Sequence, residues 1–106
     1  MVFLGDSLDR IRAFPENARR DAGYQLDRVQ RGLDPDDWKP MKTIGEGVRE
    51  IRIRASSDAY RVIYLVVFRD AVHVLHAFVK KARRTPALDL ELAASRLKAL
   101  KRRTQE

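Results

Sequence analysis

Residues 48–79 read VREIRIRASSDAYRVIYLVVFRDAVHVLHAFV, and the reading of this stretch decides the fold. Val48 to Arg54 alternates. Arg49, Ile51 and Ile53 share one side, and Glu50, Arg52 and Arg54 share the other, which is the two-residue period of a strand. Ala55-Ser56-Ser57-Asp58 supplies turn chemistry. Tyr60 to Phe68 is apolar on both sides apart from Arg61, as a central strand should be. Arg69-Asp70 reads as a second tight turn, and Val72 to Val79 as a third strand. Short turns between such strands predict an antiparallel meander.

Downstream, four cations fall within five positions: Lys80, Lys81, Arg83 and Arg84. No acid stands between Asp70 and Asp89. Like charges at one strand end repel, so packing gives no reason for them. A polyanion does, through charge-assisted hydrogen bonds and counterion release. Thr85-Pro86 then opens a helix near Ala87 to Lys101, with Thr85 as cap and Pro86 at its first position. Its stripe is Leu90, Ala93, Ala94, Leu97 and Leu100, and Arg102 to Glu106 are expected to fray.

Upstream, Val2-Phe3-Leu4 reads as a very short strand, broken at Gly5. Asp6 or Ser7 can cap a helix near Leu8 to Arg12. Pro15 interrupts it, and Glu16 to Arg31 forms a second helix with Ala18, Ala22, Leu26 and Val29 at helical spacing. Gly32 sits where a helix-ending glycine belongs. Leu33 to Pro40, with Asp34-Pro35-Asp36-Asp37, reads as a loop, and Trp38 within it as a packing plug or a base-stacking platform. Gly45-Glu46-Gly47 marks another turn. The order β-α-α-β-β-β-α predicts an α+β fold, a helical hairpin packed on an antiparallel sheet.

The chain has 106 residues, enough for one domain and one core. Residues 1–48 carry 8 Lys/Arg against 9 Asp/Glu, a net of −1, whereas residues 49–106 carry 14 against 6, a net of +8. That asymmetry predicts one basic face and a nucleic-acid or ribosome partner. The absence of cysteine excludes disulfides and thiolate metal ligands. No apolar run is long enough for a membrane span. The start is too short and acidic for a signal peptide, so the cytoplasm is the expected location.

Strand pairing should bring Arg54, Arg61 and Lys80 to one end of the sheet, with Arg52 beside them. Such a cluster can hold a phosphate backbone and stabilise charge on a scissile phosphate. Tyr60 and Tyr64 interleave with the cations, either as ordinary strand aromatics or as stacking and proton-donating groups. His73 and His76, three apart on one strand, are expected on opposite faces and so cannot share a metal. His76 reads as a hydrogen-bonded core histidine or as a general base.

Several stretches together resemble the phage-derived HigB-like branch of the RelE/ParE toxin superfamily. They are Trp38-x-Pro40, Gly45-Glu46-Gly47-Val48-Arg49-Glu50-Ile51-Arg52, Tyr60-Arg61-Val62-x-Tyr64, Leu75-His76-x-Phe78-x-Lys80-Lys81 and Thr85-Pro86. The resemblance implies a single toxin domain over residues 1–106, the toxin of a type II toxin–antitoxin pair. It implies a ribosome-dependent mRNA endonuclease that needs no metal or other cofactor. The 2′-hydroxyl attacks the neighbouring phosphate and leaves a cyclic phosphate. By strand position, Arg52, Arg54, Arg61 and Lys80 look like the family's basic site, with Tyr60 as an acid–base candidate. Arg49, Lys81, Arg83 and Arg84 look like RNA contacts. Crowding by cations should lower the Lys80 pKa and suit it to act as base, while Arg61 binds the phosphate in a fork. The expected partners are a helix-turn-helix antitoxin, mRNA and the ribosome. Two alternatives stand beside this: a gyrase inhibitor like the ParE branch, and a non-catalytic basic RNA-binding or ribosome-binding module.

Overall fold

The computed structural model describes residues 1–68, 71–81 and 83–104. Five strands and three helices appear among them: β1 (Val2–Phe3), α1 (Ser7–Arg12), α2 (Glu16–Gln30), β2 (Trp38–Pro40), β3 (Val48–Ala55), β4 (Asp58–Phe68), β5 (Ala71–Lys80) and α3 (Ala87–Thr104). The sheet runs β1-β5-β4-β3-β2. The α+β class holds, with two corrections. The sheet is mixed, because β1 pairs parallel with β5. The stretch read as a loop contains a strand, β2, whose three residues pair antiparallel with Arg49, Glu50 and Ile51. The tight turn expected at Arg69-Asp70 lies outside the described residues. Of the end expected to fray, Arg102 to Thr104 continue α3, and residues 105 and 106 lie outside the described residues.

Each face of the sheet takes its own helices. The alternation in β3 and β4 sends Ile51, Ile53, Tyr60, Val62 and Tyr64 to one face, where α1 supplies Ile11, the link after it Phe14, and α2 Ala18, Ala22, Leu26 and Val29. Val48, Ile63, Leu65, Leu75 and Phe78 point the other way and meet Ala93, Leu97 and Leu100 of α3. Full burial of one such Leu or Ile contributes about 1.5–3 kcal/mol, so both layers stabilise the sheet between them.

The helix ends differ in how they are satisfied. Gly32, at φ +85°, closes α2 with the hydrogen bonds of a Schellman motif, Gly32 N–H to the Val29 carbonyl and Leu33 N–H to that of Arg28. The side-chain caps expected at the other helices are absent. Asp6 makes no capping bond, and Ser7 lies inside α1 with its hydroxyl donating to the Val74 carbonyl. Thr85 turns its hydroxyl to Glu50 instead of to α3.

A bulge in β5 changes the parity of that strand. Ile63 pairs with His76 and Tyr64 with Val74, so Leu75 is an extra residue. Val72 and Val74 face α1 and α2 before it, and Ala77 does so after it. His73, between the two valines, therefore points to the α3 face, and His76 joins it there with its ring stacked on Phe78. The expectation that the two histidines lie on opposite faces is thus corrected.

Candidate nucleic-acid interface

The strand registers draw three rows across the α3 face. Residues directly opposite each other on paired strands share a face. The first row is Lys39–Glu50–Ile63–His76, the second Arg52–Arg61–Phe78, and the third Arg54–Ala59–Lys80. Arg52, Arg54, Arg61 and Lys80, the cations expected to cluster, therefore occupy two adjacent rows at one end of the sheet. Lys81, Arg83 and Arg84 continue from that end, and all three are exposed. Arg54, Lys80, Lys81, Arg83 and Arg84 have no ion-pair partner among the described residues. A groove of about 640 Å³ opens there, lined by Lys39, Lys42, Lys80, Arg83, Arg84 and Thr85 over Met41 and Leu90.

One carboxylate sits beneath this positive surface. Glu50 is fully buried, and its Oε1 lies 3.2 Å from Arg61 Nε and 3.9 Å from Lys39 Nζ. Its Oε2 accepts from the Thr85 hydroxyl at 3.3 Å. The Arg61 side chain is only 11% exposed. Burial is the main influence on its guanidinium and lowers its pKa, with Glu50 opposing that. The two facing atoms, Glu50 Oε1 and Arg61 Nε, are close enough for an ion pair but are not aligned as a hydrogen bond, so charge attraction holds Arg61 in the row beside the groove. Lys80 is also pushed below the ordinary lysine range, chiefly by burial and next by the charge of Arg61. A lysine so placed carries more free amine at neutral pH, which is what a general base requires.

Two residues expected at this site are elsewhere. Tyr60 precedes Arg61 in a regular strand, so it must point to the opposite face. There it is buried and packs on Phe14, ring centroids 4.8 Å apart at 51°. Tyr64 lies on the same far face and is fully buried, which raises its pKa. Neither tyrosine is on the side of the sheet that carries Arg52, Arg54, Arg61 and Lys80. Arg49 also lies beyond the sheet from the groove. Its guanidinium stacks on Trp38 at 3.9 Å and holds Asp34 at 2.9 Å. Burial lowers its pKa, but the neighbouring Tyr64 hydroxyl and Asp34 carboxylate outweigh that and the net shift is upward.

His76 is a core histidine with both ring nitrogens engaged. Nε2 lies 2.6 Å from Asp89 Oδ1, and Arg96 donates to Nδ1 at 3.2 Å. Because an arginine can only donate, Nδ1 is the acceptor and Nε2 carries the proton. Burial is the main cause that lowers the His76 pKa, and Asp89 works against it. Arg96 also binds the Leu75 carbonyl and Asp6, so one guanidinium joins α3, β5 and the turn before α1. Gly5 in that turn has φ +54°, and a Cβ there would stand 2.4 Å from Arg96 Nε, so a side chain would displace the link.

Sequence reasoning missed Lys39, Lys42 and Thr85 as groove residues, because Lys39 belongs to a strand too short to show a period. It named Arg52 or Arg61 as a pairing partner for Glu50, and the structure pairs Glu50 with Arg61; what it did not foresee is that Glu50 is fully buried. Among the described residues, no group of three His, Asp or Glu side chains could hold a metal ion. No helix of the described chain is long and apolar enough to cross a membrane.

The family model described as phage-derived protein Gp49-like (DUF891) matches residues 9–98, which include every groove residue named above. No curated protein matches the chain. The protein belongs to the Gp49-like family, a family of toxin-like proteins.

Proposed function

We propose that this Gp49-like protein is the toxin of a type II toxin–antitoxin pair, a HigB-like member of the RelE/ParE superfamily that cuts mRNA on the ribosome. The observation that carries this reading is the pair of cationic rows over a sealed carboxylate. Nine cations lie at or beside the groove (Lys39, Lys42, Arg52, Arg54, Arg61, Lys80, Lys81, Arg83 and Arg84), and Glu50, the one fully buried acid among the described residues, is already held by Arg61 and Thr85. A phosphodiester chain fits such a surface, because its successive phosphates can engage several of the cations at once.

Cleavage needs no metal in this scheme. The free amine of Lys80 takes the proton from a 2′-hydroxyl, whose oxygen attacks the adjacent phosphorus. Arg61, with Arg52 and Arg54 nearby, stabilises the charge that builds on the phosphorane oxygens. The bond to the 5′-oxygen breaks, a protonated lysine such as Lys39 returns a proton to that oxygen, and a cyclic phosphate remains. Lys81, Arg83 and Arg84 hold the flanking RNA or ribosomal RNA. The antitoxin, expected to be a helix-turn-helix protein, neutralises the groove or blocks entry to the ribosome, and the whole cycle runs in the cytoplasm.

Mapping of mRNA 5′ ends after induction of the chain tests this. Cuts in register with the ribosomal A site are expected. Lys80→Met should lower cleavage about 10²-fold or more, the usual contribution of a positioned general base. Tyr60→Phe should leave it unchanged. Uncut mRNA together with double-strand DNA breaks would overturn the reading in favour of a gyrase inhibitor.

A further inference from the structure

The edge strand β2 separates two unlike hollows. Lys39 faces the cationic groove, because it pairs with Glu50. Trp38 and Pro40 face the other way, because they pair with Ile51 and Arg49. On that side lies a cavity of about 490 Å³, within the usual size range of small-ligand sites. Its apolar walls come from Trp38 and Pro40, and it is closed by the turn Gly45-Glu46-Gly47. Pro40 and Lys42 line both hollows, so the groove continues into the cavity around the strand edge.

Three features of this cavity suit a flat, polar-edged ring. The Trp38 indole carries the Arg49 guanidinium 3.9 Å from its ring centroid. Asp34 fixes that guanidinium at 2.9 Å, so indole and guanidinium form a platform set in advance. Aromatic and guanidinium planes are the surfaces on which unpaired bases stack. The third feature is the exposed Glu46 at the wall. An ionised carboxylate only accepts hydrogen bonds, so it repels a phosphate and welcomes a base edge with donors. Guanine offers two adjacent donors on its pairing edge, and no other common base does.

We propose that the Trp38 cavity is a nucleobase subsite, which takes one base of a single-stranded RNA, guanine for preference, while its phosphates lie on Lys39 and Lys42. The proposal rests on the reading of the groove as an RNA site and adds a specificity element to it.

Trp38 is the only tryptophan in the chain, so its emission reports on this cavity alone. The full-length protein is titrated with 2′-O-methyl trinucleotides, which cannot be cleaved, bearing guanine, cytosine or no base at the centre. All three should bind with salt-dependent affinity. Only the base-bearing ones should quench Trp38, and the guanine form should bind roughly tenfold more tightly than the abasic one, as stacking of one base provides. Trp38→Leu should remove that advantage and leave abasic binding unchanged. Glu46→Gln, at an exposed turn that cannot unfold the protein, should remove only the guanine preference. Equal affinity for the abasic and guanine forms without quenching would overturn the base subsite and leave the groove intact. Failure of all three to bind would sink the groove reading itself. Emission that shifts with protein concentration alone would make the cavity an interface between two copies of this chain and end the proposal.

Discussion

The two faces of the sheet are built from the same strands yet solve opposite problems. Beneath α1 and α2 the layer is dry: Ile51, Ile53, Val62 and Val74 meet Ala18 and Ala22, and Tyr60 rests on Phe14. Beneath α3 the layer is half polar. Glu50 and Arg61 are buried as a pair, and His76 is locked between Asp89 and Arg96. An apolar face needs only shape and area. A face with buried charges needs each partner in place, because removal of one leaves the other unsatisfied at high cost. The polar face is also the one that ends in the cationic groove. The difference teaches that burial under α3 depends on the Glu50–Arg61 pairing, whereas the core under α1 and α2 is packed from apolar side chains and two tyrosines, with Arg49 and Asp34 paired at its edge.

The comparison can be broken most sharply at Glu50. Glu50→Ala would leave the Arg61 guanidinium buried and unpaired, with an expected loss of about 3–5 kcal/mol in urea unfolding. Arg61→Ala would strand Glu50 in the same way, so a loss of toxicity in that variant would confound stability with chemistry. The double change Glu50→Leu with Arg61→Met should recover most of the stability while toxicity stays absent. Recovered toxicity in the double variant would show that the pair has no functional part.

A smaller effect is expected from pH at His76. The folded pKa lies below the ordinary 6.5, so the unfolded chain binds a proton first as pH falls. Stability is therefore complete above about pH 6.5 and declines as the pH drops toward the folded value. Added protonation would also place an N–H on Nδ1, against the N–H that Arg96 already points there. Melting temperatures at pH 7.5 and 5 should differ, and His76→Leu should reduce that difference. A slope that the variant leaves untouched would place the sensitive group elsewhere.

The smallest effect is at Asp6, whose carboxyl is held at about 2 by Arg10 first and Arg96 second. A depressed carboxyl contributes stability above its unfolded pKa near 3.8 and loses it as pH falls to 2. The side chain is 45% exposed, so solvent screens the pairs and Asp6→Asn should cost under about 1 kcal/mol at pH 7. Most of that cost should be gone at pH 2.

Much of this was legible in the sequence, and for definite reasons. The alternation in Val48 to Arg54 and the stripe from Leu90 to Leu100 each carried a clear period. The clustering of Arg54, Arg61 and Lys80 followed from antiparallel order alone. The exclusion of Tyr60 was legible too, because neighbours on a regular strand cannot share a face. The bulge at Leu75 was not. Apart from its two histidines VHVLHAFV is apolar, so nothing in it marks where parity changes, and the histidines were expected on opposite faces. β2 was hidden by turn-forming neighbours and by Pro40, which an edge strand tolerates. The burial of Glu50 depends on Lys39 and Thr85, which arrive from segments distant in sequence.

The parallel pairing of β1 with β5 has a consequence for how the chain is made. Ser7 reaches the Val74 carbonyl across 67 residues, and Leu4 N–H binds that same carbonyl. During synthesis β1 thus has no partner until β5 has emerged, and Arg96 cannot seal the turn after β1 until α3 follows. An early segment is fastened by two later ones, so the closing of this edge of the sheet waits on contacts of high sequence separation.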